Sequence, residues 1–333
     1  MSEITAPGPA NAGASGLNRL RQVLLTPTIG PFFALLLACL FFSTQTSRFL
    51  TGTNFSFIFQ QSVWVATLAI GQTLIILTAG IDLSNGAIMT LGSVIMTKLA
   101  VDNGVNPFIA IAVGFIVCGG FGFLNGLLVT QLRLPPFIVT LGMLNIAFAL
   151  TQIYTTESIQ NLPHEQTILG DTFKIGSTAI TYGSVVMILL FLIVWFVLRE
   201  TTFGRHIYAV GNNAEATRLA GISTNRLLIG VYTLAGLFYG AAALLLIART
   251  GVGDPQAGQN GNLESITAVV LGGTSLFGGR GNVLGSLVGA LIVSVFRNGL
   301  QLMGVPSIYQ VLITGILVIL AVSIDQLSQR GKR

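Results

Sequence analysis

The chain has 333 residues, 52% of them hydrophobic and only 8% charged, with a formal net charge of +5. Soluble domains carry about a quarter charged residues, so the composition excludes a soluble globular protein and describes one whose solvent is lipid. Length therefore counts membrane spans here rather than domains.

Residues 1–28, opening MSEITAPGPANAGASG and containing Arg19 and Arg21, have the composition of a disordered cytoplasmic lead-in. A cleaved signal peptide fits less well, because the apolar run from Ile29 to Ser43 leads into Thr46, Ser47 and Arg48 rather than a small-residue cleavage site. Apolar runs then suggest an all-α polytopic protein of about ten transmembrane helices, at about 29 to 46, 56 to 79, 86 to 101, 107 to 130, 138 to 156, 182 to 199, 227 to 248, 263 to 277, 283 to 303 and 307 to 324. The membrane domain is thus expected over 29–325, with a short cytoplasmic tail at 326–333. Cys39 and Cys118 both fall inside apolar runs and read as small buried hydrophobes.

With the N-terminus inside, eleven basic residues fall on the cytoplasmic side, from Arg19 through Arg133, Arg205 and Arg280 to Arg333. Arg48, Lys98, Lys174 and Arg249 fall outside, and Arg297 is left within a span. That asymmetry follows the positive-inside rule, so the net charge calls for no nucleic-acid partner. Two longer polar excursions result: an external one over 157–181 and an internal one over 200–226, which contains GNNAEATRLAGI.

Several chemistries lack their residues. None of the three lysines, Lys98, Lys174 and Lys332, belongs to a GK followed by Ser or Thr, so no phosphate-cradling loop is present. His164–Glu165 begins like a zinc-protease motif, but Ile168 stands where its second histidine is required. The GxSG of Gly13 to Gly16 lies in the lead-in with no base in reach. No catalytic residue, metal site or cofactor is called for. Only Asp82 and Arg297 are ionisable candidates inside the apolar region, thin support for an ion relay.

Glycine and amide side chains are plentiful instead. Gly122 and Gly126, Gly236 and Gly240, and Gly281, Gly285 and Gly289 have the spacing that lets helix backbones approach closely in lipid. Gly80, Leu83, Gly86, Gly92 and Ser93 match Gly273, Leu276, Gly279, Gly285 and Ser286 at a constant offset, either by coincidence in so glycine-rich a chain or as two copies of a helix, a loosened turn and another helix. Asp82, in the first copy, either caps the helix starting near Ser84 or serves an inner gate. Gln60, Gln61, Gln72, Asn125, Asn145, Gln152, Asn298 and Gln301 lie within spans, as interhelical glue or as groups for a neutral, hydroxyl-rich solute. Gln61, Gln72, Asp82, Asn85, Asn145 and Asn298 are the expected path and gate residues.

The stretches LAIGQTLIILTAGIDLSNGA (68 to 87), TFGRHIYAVGNNAEATRLAGI (202 to 222), PQAGQNGNLESITAVVLGGTSLFGGRGNVLGSLVGALI (255 to 292) and NGLQLMGVPSIYQ (298 to 310) together resemble the membrane subunits of bacterial ATP-binding-cassette importers for monosaccharides, of the ribose type. The likeness covers about residues 30 to 325. Asn85 departs from it, standing where that pattern has an apolar residue. The resemblance implies a type II importer permease fold and a multi-pass protein of the inner membrane with both termini cytoplasmic. It also implies a second permease subunit, two cytoplasmic ATP-binding-cassette subunits and a periplasmic sugar-binding protein received on 157–181 and 250–262. The loop after the sixth span would carry a short helix that docks on the ATPase, through Asn212, Asn213, Glu215, Arg218, Leu219 and Gly221. The residues agree: Asn212 and Glu215 have the offset of a capping box, and Gly221 is placed to stop a helix. A stand-alone facilitator or secondary carrier of a small polar solute is the alternative, but it gives no reason for that capped helix.

Overall fold

A computed structural model describes residues 29–176 and 178–330; the expected lead-in, with Arg19 and Arg21, and Lys332 and Arg333 lie outside the described residues. Helices dominate. In chain order they are α1 (Ile29–Gln45), α2 (Gly52–Leu77), α3 (Asn85–Val101), α4 (Pro107–Gln131), α5 (Pro136–Tyr154), the single turn α6 (His164–Thr167), α7 (Tyr182–Glu200), α8 (Thr202–Asn212), α9 (Ala214–Leu219), α10 (Thr224–Thr250), α11 (Gly261–Leu271), α12 (Val283–Leu302) and α13 (Ser307–Arg330). Many start where a short polar side chain takes up a free backbone N–H: Thr51, Asn106, Thr181, Thr201 and Asn282 each accept from the first turn they precede. Among the described residues six helices, α2, α4, α5, α7, α10 and α12, are long and apolar enough to cross a membrane, and α1, α3, α11 and α13 give shorter apolar stretches.

Helix α2 is the axis of the molecule, with 94% of its apolar window buried, whereas α4 and α5 bury 28% of theirs and turn the rest outward. Helix α10 packs on α4 and α2, and α12 packs on α11 and α2. The glycine spacing has the consequence expected of it. A methyl group at Gly122 would overlap the carbonyl oxygen of Tyr232, and one at Gly289 would overlap that of Ala268, so α4 meets α10 and α11 meets α12 in backbone contact.

Two expectations need correcting, and two gain detail. The eighth span is no span: α11 has 11 residues and a rise of about 16 Å, roughly half a bilayer core. Residues 250–262 are not a solvent excursion. Gly253 meets Thr97, Gly258 meets Thr90, and Gly261 meets Gly86, so the segment runs back along α3 from its end to its start. The excursion over 157–181 folds into α6, a 3-10 turn and an antiparallel hairpin of β1 (Thr172–Ile175) and β2 (Thr178–Thr181), pairing Thr172 with Thr181. The Ser56 hydroxyl and the Gln60 amide of α2 both donate to the Ala179 carbonyl, which ties the hairpin down. Finally, α13 continues past residue 325 to Arg330.

Candidate functional site

The two copies of the expected repeat have the same order, helix, break, helix: α2, residues 78–84, α3; and α11, residues 272–282, α12. Helix α2 ends because Ala79 turns left-handed at φ 62°, with the Ala79 and Gly80 amides folding back onto the carbonyls of Ile76 and Ile75. Asp82 sits in this break. It is fully buried; its Oδ1 accepts from the Ser84 amide at 2.7 Å and the Ser84 hydroxyl at 2.5 Å, and its Oδ2 accepts from the Tyr239 hydroxyl at 3.0 Å. Asp82 therefore holds the turn that opens α3 and fastens it to α10. Asn125 adds α4 by donating to Ser84 Oγ at 3.0 Å.

Asn85 explains its own departure from the family pattern. Its amide nitrogen donates to Gln72 Oε1 at 2.9 Å and Ser265 Oγ at 2.7 Å, joining α3 to α2 and α11 where an apolar residue could only pack. Gln72 and Asn85 thus share one buried cluster and Asp82 belongs to another, both within the chain. Gln61 is buried on α2, its Oε1 without a hydrogen-bond partner.

Asn298 exchanges two amide hydrogen bonds of 3.0 Å with Asn54, pinning α12 to the first turn of α2. Its surroundings are those of interhelical glue. Asn298→Ala should lower thermal stability by about 1 kcal/mol, measured as a shift in the unfolding midpoint in detergent, and Asn54→Ala should add little once that bond is gone.

Of the expected path residues, Asn145 alone lines one of the open clefts. That cleft, of about 410 Å³, lies between α3, α5 and the segment 255–262, and Thr90, Phe148, Gln259, Asn260 and Asn262 share its wall with Asn145. Uncharged amides and a hydroxyl beside one aromatic ring are groups suited to a neutral polyhydroxylated solute. The segment itself supports this use: irregular backbone beside membrane helices persists where it lines a cavity or is buried in protein. Gln259, Asn260 and Asn262 escaped the sequence reading, although PQAGQNGN is dense in amides, because that reading placed the run in solvent. Arg297, the cation left within a span, is explained by Glu264 of α11, which accepts from its Nη1 at 3.1 Å.

The third group is the polar loop. Asn212 ends α8, and Asn213, not Asn212, caps α9 by accepting from the Ala216 amide at 2.9 Å. The capping box does not form, because Glu215 lies one position too early to reach back and instead accepts from Arg218 at 2.6 and 3.0 Å. The hydrogen bonds from Arg218 hold the Glu215 carboxyl below its usual range. That lowered value makes the pair favour the helix at neutral pH, and the support fades as pH falls through the carboxylate range. Gly221, at φ 87°, stops the helix, and Leu219 projects with 73% of its surface exposed. Of the expected docking residues, Asn213, Glu215, Arg218 and Leu219 therefore lie on the short, separately capped α9, with Asn212 ending α8 before it and Gly221 following it.

A family model described as "Branched-chain amino acid transport system / permease component" matches residues 54–322. The chain belongs to this permease family. The permease is 46% identical over 318 residues to the fructose import permease protein of Rhizobium meliloti, covering 93% of this chain and 88% of that one. It is 40% identical over 299 residues to the ribose import permease protein of Escherichia coli K12 (89% and 92% covered) and 34% identical over 301 residues to that organism's D-allose transport system permease protein (90% and 91%). No solved structure matched the chain. It is a multi-pass membrane protein and a transport subunit rather than an enzyme.

Proposed function

We propose that this permease forms the membrane path of an ATP-driven importer for a monosaccharide of the ribose or fructose kind, delivered by a periplasmic binding protein. Two copies would enclose the path, with two ATP-binding-cassette subunits docking on α9 and both termini in the cytoplasm of a bacterial inner-membrane protein. The observation that carries the reading is α9, a helix with its own cap and stop, an exposed leucine and a bidentate ion pair. A carrier working alone would have no use for it. The names of the relatives support a monosaccharide as cargo. The cleft at Asn145 supports a neutral, hydroxyl-rich one.

The test is uptake of labelled ribose and fructose into liposomes holding the permease, its ATPase subunits and its binding protein. Uptake should require all three and ATP; uptake by the permease alone without ATP would sink the proposal. Gly221→Val, which places a β-branched residue at a left-handed position at about 1 to 2 kcal/mol of strain, should weaken uptake several-fold while the protein still inserts and purifies.

A further inference from the structure

The last turn of α8 meets two other chain segments backbone to backbone. The Gly279 amide donates to the Leu77 carbonyl, the last residue of α2, at 3.0 Å. Gly211 lies against both: a methyl group there would overlap the Leu77 carbonyl oxygen and come within 2.6 Å of the Gly279 nitrogen. A methyl at Gly279 would stand 2.9 Å from the Asn212 backbone, and one at Gly278 would stand 2.7 Å from that of Ala79. Tyr208, one turn earlier on α8, donates to the Gly281 carbonyl at 3.0 Å. The end of the helix that leads into α9 is therefore wedged between the two breaks.

Each break leads to a different wall of the cleft. From Leu77 the chain passes through residues 78–84, where the Ile81 carbonyl accepts from Thr140 of α5 at 3.1 Å and Leu83 lines the cleft. Helix α5 carries Asn145 and Phe148. From Gly279 the chain runs back through residues 272–278 to α11, whose first turn and preceding segment bear Asn260 and Asn262 on the opposite wall.

We propose that the junction of Gly211, Leu77 and Gly279 is where movement of α9 passes to both walls of the cleft at once, making Gly211, Gly279 and Tyr208 positioning residues for transport. The inference rests on α9 being the ATPase docking helix. Glycine is needed at 211 because only direct backbone contact leaves no side chain to yield and absorb the displacement. The junction transmits free energy to the extent that its contacts differ between the open and closed cleft.

The complete importer in liposomes provides the test, read as co-purified ATPase subunits, ATP hydrolysis and sugar uptake. Gly211→Ala should retain the ATPase subunits and their hydrolysis while uptake per ATP falls about tenfold, and Tyr208→Phe, which removes one bond without added bulk, should lower that ratio about twofold to threefold. Gly230→Ala, on an open face of α10, should match the parent. Parental uptake per ATP in an assembled Gly211→Ala importer overturns the junction. If that variant does not insert, a parental ratio in Tyr208→Phe overturns it. Failure of the parent permease to retain ATPase subunits removes the docking helix and the junction together, an outcome visible before any variant is made.

Discussion

Gly236→Val should leave little folded permease to recover. The position faces α4 at the crossing with α10, where a methyl group would overlap the Cys118 carbonyl oxygen and lie 3.1 Å from the Gly119 Cα. Both obstacles are backbone, so no rotamer change makes room, and the helices must part. In lipid the association of helices relies on close packing, because the tails solvate apolar side chains as well as a neighbouring helix does. Parting this pair also pulls at Tyr239, three residues along α10, and hence at Asp82. Overpacking costs about 1 to 3 kcal/mol in ordinary cores and more where the frame cannot yield. The expected readout is loss of the monodisperse peak on size exclusion in mild detergent. A parental peak and unfolding midpoint would contradict the contact.

Asp82→Ala should destabilise the protein by about 3 kcal/mol or more, since it leaves the Ser84 amide, the Ser84 hydroxyl and the Tyr239 hydroxyl without their shared acceptor, at about 1 to 3 kcal/mol for each stranded group. Asp82→Asn keeps one oxygen and should lose less than half as much. The ordering is the sharper test: Tyr239→Phe keeps both Ser84 bonds and strands only Oδ2, so it should be milder than Asp82→Ala. Thermal unfolding of the four proteins in one detergent checks the series. Equal midpoints for Asp82→Ala and the parent would show that the carboxylate carries no such load.

Helices that bury apolar stripes were legible from the chain alone, to within a few residues, because lipid demands long uninterrupted apolar runs and polar breaks between them. The short helix α9 was legible too, through its stop at Gly221, although the cap fell at Asn213, one residue later than the Asn212 spacing suggested. What misled was depth. LESITAVVLGGTSLF reads as one greasy run, yet the helix stops at Leu271, where the Gly272 and Gly273 amides close back on the carbonyls of Ala268 and Val270. The same blindness hid the cleft, since hydropathy places PQAGQNGN in water, and only the glycines fitting against Thr97, Thr90 and Gly86 reveal that it descends beside α3. Amide residues had the converse problem. Asn145 and Asn298 look alike in sequence, and their roles separate only when Asn54 is found opposite one and open space opposite the other.

The descending segment has a mechanical side. Its upper end is fastened by the paired backbone bonds between Gly253 and Ile159, and its lower end by Ser265, which accepts from Asn85. Between those points its turns close on themselves, Ala257 to Asp254, Gln259 to Gln256, and Gly261 to Gly258. Among the described residues no hydrogen bond ties 254–260 to α3; Gly258 lies against Thr90 and the Gly86 backbone. It is a strap buckled at both ends and loose along its length, able to bow toward or away from the cleft at the expense of dispersion contacts and not of any bond.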